Sequence, residues 1–421
     1  MDYVKRYADK KIARYMNAAG CVVVSGPKFC GKTTTCMRFQ KSFVKLNTDA
    51  VIEAARIDPS ATLIGPKPRL IDEWQKVPEI WNIIKDSLDE DYQFGEFIIT
   101  GSTTPPEKSK IHHGGSGRFF PYAMSTMSLF ETGESKGTVS LEKLFKGDFA
   151  LFDANASYSL SDTARLLCRG GWPIALMAKG EASLDIVKGY YKTIFDFEES
   201  DSSYFKNKDP ELLYMILRSY ARNISTEASK ETIMGDVKKQ GRSTLDANTF
   251  DSYIAILKSL FIIEDMDAWS PSIRSKTSIR TTRTIHFSDT SIAARALGVS
   301  PDDLLNDPRS FGLFFEDFAI HELRVYASSL EGEVRHYRDN TGLECDAIVH
   351  LENGTWGAIE IKLGGEELIA DGINSLLRFR KKIEEKSDEK KPSFLMVLTA
   401  VGNAYKTRDG VYVVPINLLK D

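Results

Sequence analysis

The chain has no apolar run near the roughly 20 residues that a membrane-spanning helix needs, so nothing in it reads as a membrane segment. Cysteine is scarce. Cys21, Cys30, Cys36, Cys168 and Cys345 are scattered and odd in number. No two have zinc-finger spacing, and such a set argues against a disulfide framework. Charge of one sign is lacking too. Lys and Arg number 55 against 59 Asp and Glu, a net −4, so nothing draws the whole chain to nucleic acid or to an anionic membrane. Any basic footprint must be local. The opening MDYVKRYADKKIARYM is charged throughout and does not read as a signal peptide. These absences predict a cytoplasmic protein without membrane contact. What is present is ordinary for a globular chain: 421 residues, 42% hydrophobic and 27% charged, enough for two or three domains with real cores.

Residues 1–150 alternate short apolar runs with helical patterns. Cys21–Ser25 (CVVVS), Pro68–Glu73 (PRLIDE) and Phe97–Thr100 (FIIT) read as buried strands. The spacing predicts a helix from Lys32 to about Lys45 and another over Pro78–Leu88, with Ile80, Ile83, Ile84 and Leu88 on one face. Continuous apolar strands separated by helices predict an α/β fold with a parallel sheet covered on both sides. Residues 151–300 read mostly as helices, over Pro210–Asn223, Ile233–Lys239 and Ser243–Ile263, then an extended stretch with Ile279–Phe287. Three helices and a β-hairpin in that order form a winged-helix pattern. Residues 301–421 read as a separate α/β domain: a helix at Gly312–Tyr326, strands at Val334–Arg338, Glu344–Leu351 and Trp356–Ile361, a helix at Ile369–Lys382, then two more strands.

The string GPKFCGKT fits G-x-x-x-x-G-K-[ST] at Gly26, Gly31, Lys32 and Thr33, between a strand and a helix. This is the spacing of a P-loop for ATP with Mg²⁺. Glycines let the backbone curl so that N–H groups from Gly26, Pro27, Lys28, Phe29, Cys30, Gly31, Lys32, Thr33 and Thr34 (proline excepted) face phosphate oxygens. The following helix adds its positive end. Lys32 is expected on the β- and γ-phosphates and the Thr33 hydroxyl on Mg²⁺. RLIDEW ends a strand in Asp72 and Glu73. Asp72 is expected to hold Mg²⁺ and Glu73 to act as general base on the attacking water. At the end of FIITGS, Thr100, with Ser102 as the alternative, is expected to sense the γ-phosphate. Arg118 in GSGRFF is the expected cation for charge on the transferring phosphoryl group, in cis or toward a neighbouring subunit. Cys30 inside the loop reads as an inert filler.

These strings carry a resemblance. GPKFCGKTTT, LIDEWQKVP, FIITGSTT, SGRFFPYAMSTMSLFE, RGGWP at Arg169–Pro173, FFEDF, LECDAI and IEIK together resemble bacterial and archaeal AAA-type ATPases. In that group the AAA domain is followed by a C-terminal domain of unknown function with a PD-(D/E)xK restriction-endonuclease-like core. The resemblance implies an additional-strand P-loop ATPase core and a winged-helix-like middle, and it supports the roles given to Lys32, Thr33, Asp72 and Glu73. The chain departs from the pattern at Lys28 and Phe29, where relatives more often carry Arg and Gln.

A second set lies near the carboxyl end. Glu360 and Lys362 share one face of a strand because side chains alternate. Asp346 is one hairpin away and Glu316 is on the preceding helix. In that order the set resembles a nuclease core, with two carboxylates for a second Mg²⁺ or Mn²⁺ and a lysine for the water or phosphate; a solvated sheet face with an E-x-K string is the alternative. Arg242, Lys258, Arg274, Lys276, Arg280 and Arg283 tint the middle basic, toward DNA or RNA; the alternative is a packing module. Phe250, Tyr253 and Phe261 read as core. The leading expectation is an ATPase that repositions its winged-helix and nuclease-like region. The others are an ATP-regulated nuclease and a non-hydrolysing switch that recruits a protein partner. A homo-oligomer fits all three.

Overall fold

Short β-branched runs build the first sheet. The computed structural model of the chain describes residues 3–102, 115–147, 154–155, 158–195, 208–271, 282–386 and 391–421. Helix α1 (Tyr7–Met16) leads into β1 (Cys21–Ser25), α2 (Lys32–Cys36), β2 (Ser42–Lys45), α3 (Asp49–Ile57), β3 (Arg69–Asp72), α4 (Ile80–Glu90), β4 (Phe97–Gly101) and β5 (Phe119–Ala123). The strands pair in parallel in the order β2-β3-β4-β1-β5. Every residue of β3 and β4 is buried, as expected for a sheet covered on both sides. On α4, Ile80, Ile84 and Leu88 turn one face inward.

One expectation fails here. The helix read over Lys32 to about Lys45 stops at Cys36, and Ser42–Lys45 is the edge strand β2. Phe43-Val44 suits a strand, and β3 offers Leu70 and Ile71 as its ladder partners. β5, with the unlikely sequence FFPYA, was not expected. Its proline is tolerable because β5 is the outer strand, paired only with β1.

Next come β6 (Val139–Ser140), α5 (Leu141–Lys146) and β7 (Ala154–Asn155). The middle is helical: α6 (Leu160–Arg169), α7 (Pro173–Met177), α8 (Glu181–Thr193), α9 (Pro210–Arg222), α10 (Lys230–Lys239), α11 (Ala247–Ser259), α12 (Thr290–Leu297) and α13 (Pro301–Asn306). Their starts are written locally. Asp209 caps α9 with Pro210 at its first position, and Ser159 with Asp162 forms a capping box on α6. After α11, Ile263 bridges Phe287 and Met266 bridges Thr284, both antiparallel.

The long helix α14 (Pro308–Ser329) opens the last part. It is followed by β8 (Gly332–Arg338), β9 (Glu344–Leu351), β10 (Trp356–Lys362), α15 (Glu366–Lys386), β11 (Leu395–Thr399), β12 (Asn403–Lys406), β13 (Val411–Pro415) and β14 (Leu419–Lys420). The sheet order is β7-β12-β13-β11-β10-β9-β8, so β7 from before the helical middle closes one edge. β14 pairs with β6. One hydrophobic core runs from Tyr7 and Leu129 through α6–α12 to Phe315, Ile359 and Leu418. The first sheet packs in two further clusters, around Ile71 and Ile99 and around Val22 and Ile98, and the other face of the C-terminal sheet in a third around Trp356 and Phe379.

Within that core, α14 carries buried polar groups that each serve a different part. Asp317 accepts from Phe287 N–H at 2.9 Å and the Thr290 hydroxyl at 2.6 Å, and lies 3.0 Å from His286 Nδ1. Burial pushes the His286 imidazole down, with Asp317 only partly offsetting it. Glu322 accepts from Leu129 N–H at 2.9 Å and the Tyr326 hydroxyl at 2.7 Å. The Thr126 hydroxyl is 2.9 Å from His321 Nε2. An acceptor removed from such a site leaves buried donors unpaired. Asp317→Ala is expected to lower stability by about 3 kcal/mol, seen as a fall in the thermal unfolding midpoint; an unchanged midpoint would contradict this role.

Candidate functional site

The glycine loop joins β1 to α2 at the carboxyl end of the sheet. Gly26 has φ 148° and Gly31 φ 102°, both in the region that favours glycine. A Cβ at Gly26 would run into the Met124 carbonyl, so the loop lies directly on the end of β5. Lys32 Nζ donates to the Gly26 and Pro27 carbonyls at 2.9 and 2.8 Å, curled inside the loop it serves. Cys30 is fully buried, with its thiol toward the Met124 carbonyl, in keeping with an inert filler. Phe29 adopts φ 68°, which costs a non-glycine residue about 1–3 kcal/mol. Its ring meets the edge of Tyr190 on α8 at 6.0 Å.

Asp72, at the end of β3, is 2% exposed. Its Oδ1 accepts from the Thr33 hydroxyl at 2.8 Å and from the Thr100 hydroxyl. Its Oδ2 is buried and has no hydrogen-bond partner among the described residues. A buried carboxylate oxygen left open beside a loop threonine is a place for a cation, so the residues present fit Mg²⁺. Glu73 follows in the left-handed region at φ 60°. Ser102 donates to its Oε1 at 3.2 Å and Gln75 Nε2 to its Oε2 at 2.6 Å. Thr100 is thus committed to Asp72, and Ser102 sits with Glu73.

Arg118 is not brought to this site. Its carbonyl accepts from Cys21 N–H at 3.0 Å, at the far end of β1 from the loop, about 13 Å along the strand. Its guanidinium pairs with Asp89 on α4. Action on this chain's own phosphates is therefore corrected by the geometry; of the expectation, only action on a neighbouring subunit remains. Most of the polar loop before it, residues 103–114, lies outside the described residues.

Several residues at the site were not found from sequence. Arg6 is buried and donates to the Cys30 carbonyl, the Ser125 carbonyl and Glu131 Oε1, each at 2.9 Å. It ties the loop to the SLFE segment. The RGGWP string is a clasp. Arg169 forms a bidentate pair with Glu134 at 2.5 and 2.6 Å, geometry that adds specificity to charge. Gly171 N–H donates to Asp289 at 2.9 Å and its carbonyl accepts from Met127 N–H at 2.8 Å. A Cβ there would strike the Met127 backbone. Pro173 packs against Gly31 of the loop.

In the C-terminal sheet, Asp346 and Glu360 lie across from each other and Lys362 reaches both. Lys362 Nζ is 2.7 Å from Glu360 Oε2 and 3.1 Å from Asp346 Oδ2. Ile361 N–H donates to Asp346 at 2.7 Å, and Ser375 donates to Glu360 at 3.0 Å. Burial pushes the Glu316 carboxyl well up; Asp346 adds to that and Lys362 opposes it. Burial and then Asp346 also raise Glu360, whereas the two carboxylates outweigh burial and hold Lys362 charged. The four residues are thus electrostatic neighbours. Among the described residues no group of three His, Cys, Asp or Glu side chains is arranged to hold a metal. Here the lysine stands between the carboxylates.

Among the described residues, the three basic side chains named in the middle are also paired. Arg242 pairs with Asp209 and Glu211, Lys258 with Asp265 and Arg283 with Asp267. Arg274, Lys276 and Arg280 lie outside the described residues. Phe250 and Tyr253 are core, whereas Phe261 is half-buried and lines a cleft of about 540 Å³ beside Pro27. No helix among the described residues is long and apolar enough to cross a membrane.

A parallel sheet ordered β2-β3-β4-β1-β5, with GPKFCGKT after β1 and a buried aspartate at the end of β3, is the arrangement of a P-loop NTPase fold. Residues 19–133 match the family described as an AAA domain, which supports an AAA-type P-loop ATPase fold for the amino-terminal part. Residues 160–303 and 311–419 match two domains of unknown function, DUF8612 and DUF4143. The chain is 23% identical to an uncharacterized protein of Mycobacterium tuberculosis over 382 residues, 89% of this chain and 77% of that protein. An uncharacterized protein of Mycobacterium bovis matches to the same extent. A Walker-type ATPase of Pyrococcus abyssi shares 12% identity, covering 70% of this chain and 96% of that one, at a TM-score of 0.46. A signal transduction ATPase with numerous domains and a tetratricopeptide repeat sensor, from Pyrococcus horikoshii, shares 13% over 78% and 49%, at 0.27. The assignment rests on the AAA-domain match.

Asp72→Asn is expected to weaken Mg²⁺-dependent ATP binding at least about tenfold and to leave ATP binding in chelator almost unchanged. Titration with a fluorescent ATP analogue reads both; equal losses with and without Mg²⁺ would remove Asp72 from the metal site.

Proposed function

We propose that this protein hydrolyses ATP to ADP and phosphate and passes its nucleotide state to the helical middle and the C-terminal sheet. The observation that carries the reading is the joint placement of Lys32, Thr33, Asp72 and Glu73 at one end of the sheet, with Asp72 Oδ2 buried and open. Backbone N–H groups of the loop receive the β-phosphate, and Lys32 leaves the Gly26 and Pro27 carbonyls for the β- and γ-phosphates. Thr33 and Asp72 would hold Mg²⁺. When bound, that ion neutralises charge on the phosphoryl oxygens. Glu73 takes a proton from the attacking water.

Two contacts support the coupling. Pro173 stands where a side chain on Gly31 would meet it, and Phe29 meets Tyr190, so α7 and α8 lie against the loop. The middle, read as winged-helix-like, shares α14 with the C-terminal sheet. Glu73→Gln is expected to cut phosphate release by about 10²–10⁴-fold with ATP binding kept. Unchanged phosphate release would show that Glu73 is not the base.

The convergence of Asp346, Glu360 and Lys362, with Glu316 beside them, favours a second reading: metal-dependent phosphodiester cleavage in a PD-(D/E)xK-like domain. A cation would have to displace Lys362 from between the carboxylates. Incubation of DNA and RNA with Mg²⁺ or Mn²⁺ is the test. Cleavage lost in Lys362→Ala supports this reading, and failure of the unaltered protein to cut any substrate ends it.

A further inference from the structure

We infer that Gln75, with Ser102, is a positioning residue for Glu73: the two side chains grip one carboxylate oxygen each and fix the direction in which Glu73 meets the attacking water. The inference rests on the ATPase reading above. Three observations carry it.

The first is the grip itself. Gln75 Nε2 lies 2.6 Å from Glu73 Oε2 and the Ser102 hydroxyl 3.2 Å from Glu73 Oε1. One donor comes from the turn after β3 and the other from the end of β4, so the carboxylate is held between two strand ends. An ionised carboxylate has about four acceptor positions. Two remain for water.

The second is the rigidity of the turn. Glu73 opens a 3-10 turn, Trp74–Lys76, in the left-handed region. Trp74 is 2% exposed and its ring lies 5.3 Å from that of Trp81. With Trp74 buried as a peg, Gln75 has little freedom and folds back over the residue two positions before it. Glu73 itself is not packed into the core. Its direction is set by what grips its head.

The third is the far side of the Gln75 amide. Its Oε1 is buried against Gly101 and has no hydrogen-bond partner among the described residues. A buried, unpaired carbonyl oxygen is costly. A residue present only for stability would be poorly chosen here, since an apolar side chain of the same shape would avoid that cost. The amide makes sense through the one bond it forms, to Glu73.

The test measures phosphate release and ATP·Mg²⁺ binding for the full chain and for Gln75→Met, which keeps the shape and removes the donor. The expected result is a kcat at least about tenfold lower with ATP affinity within about twofold. The same change made in Glu73→Gln and followed by single-turnover kinetics is expected to cost nothing further, because the effect runs through the carboxylate. A kcat within about twofold of the unaltered chain, or an equal loss in the Glu73→Gln background, overturns the inference. Should Gln75→Met fail to fold, Ser102→Ala and Ser102→Thr decide: loss with Ala and recovery with Thr supports the grip, and equal rates overturn it. If the unaltered chain releases no phosphate, the ATPase reading fails and takes the inference with it. Failure of the grip alone leaves the contrast between the unaltered chain and Glu73→Gln intact.

Discussion

A buried carboxylate has to find donors, and on α14 it finds them in different parts of the chain. Asp317 takes its donors from Phe287, just before α12, and from Thr290, its first residue, and Glu322 takes one from Leu129, just past the first sheet. Each unmet donor would cost about 1–3 kcal/mol, so these bonds fix where the segments meet. The helix is 22 residues long, about 33 Å, which is enough to reach all of them. The hydrophobic core around it takes in Tyr7 and Leu129 beside the first sheet, so α14 is packed against the segments it bonds.

The nucleotide site is built on the same logic at smaller scale. Asp72 gathers two hydroxyls on one oxygen and leaves the other free. Arg6 fixes the loop through the Cys30 carbonyl. Pro173 and Tyr190 press on it from the helical middle. A loop touched by another part of the chain has a direct mechanical route outward. From the middle, Asp317 carries the connection to α14, and α14 places Glu316 beside the Asp346, Glu360 and Lys362 cluster.

Local chemistry was legible in the sequence. GPKFCGKT and LIDE carry their meaning in spacing, and the period-two pattern put Glu360 and Lys362 on one face. The strand Glu344–Leu351 and the helix from Pro210 were readable because alternation and a capped proline start are local signals. Non-local placement was not legible. Arg118 follows a glycine-rich loop, the position that suggested an active-site arginine, yet β5 begins at the end of the sheet away from the loop, and no residue in GSGRFF records that. β2 was absorbed into a helix because Phe43 and Lys45 face outward on an edge strand and give no buried alternation to read. Nothing in LIDEWQKVP singles out Gln75; only the fold sets its amide on Glu73. Arg6 lies far from the loop in sequence, and no local pattern announces it.

The account's central claim is that Thr33, Asp72 and Lys32 rearrange around ATP and Mg²⁺ at this loop. A crystal structure with a non-hydrolysable ATP analogue and Mg²⁺ tests that most directly. The expected result has the triphosphate in the loop, Lys32 Nζ moved from the Gly26 and Pro27 carbonyls to the β- and γ-phosphates, and Mg²⁺ between Thr33 and the Asp72 side. A nucleotide bound elsewhere, or Lys32 still on the loop carbonyls with the metal away from Asp72, would contradict the account.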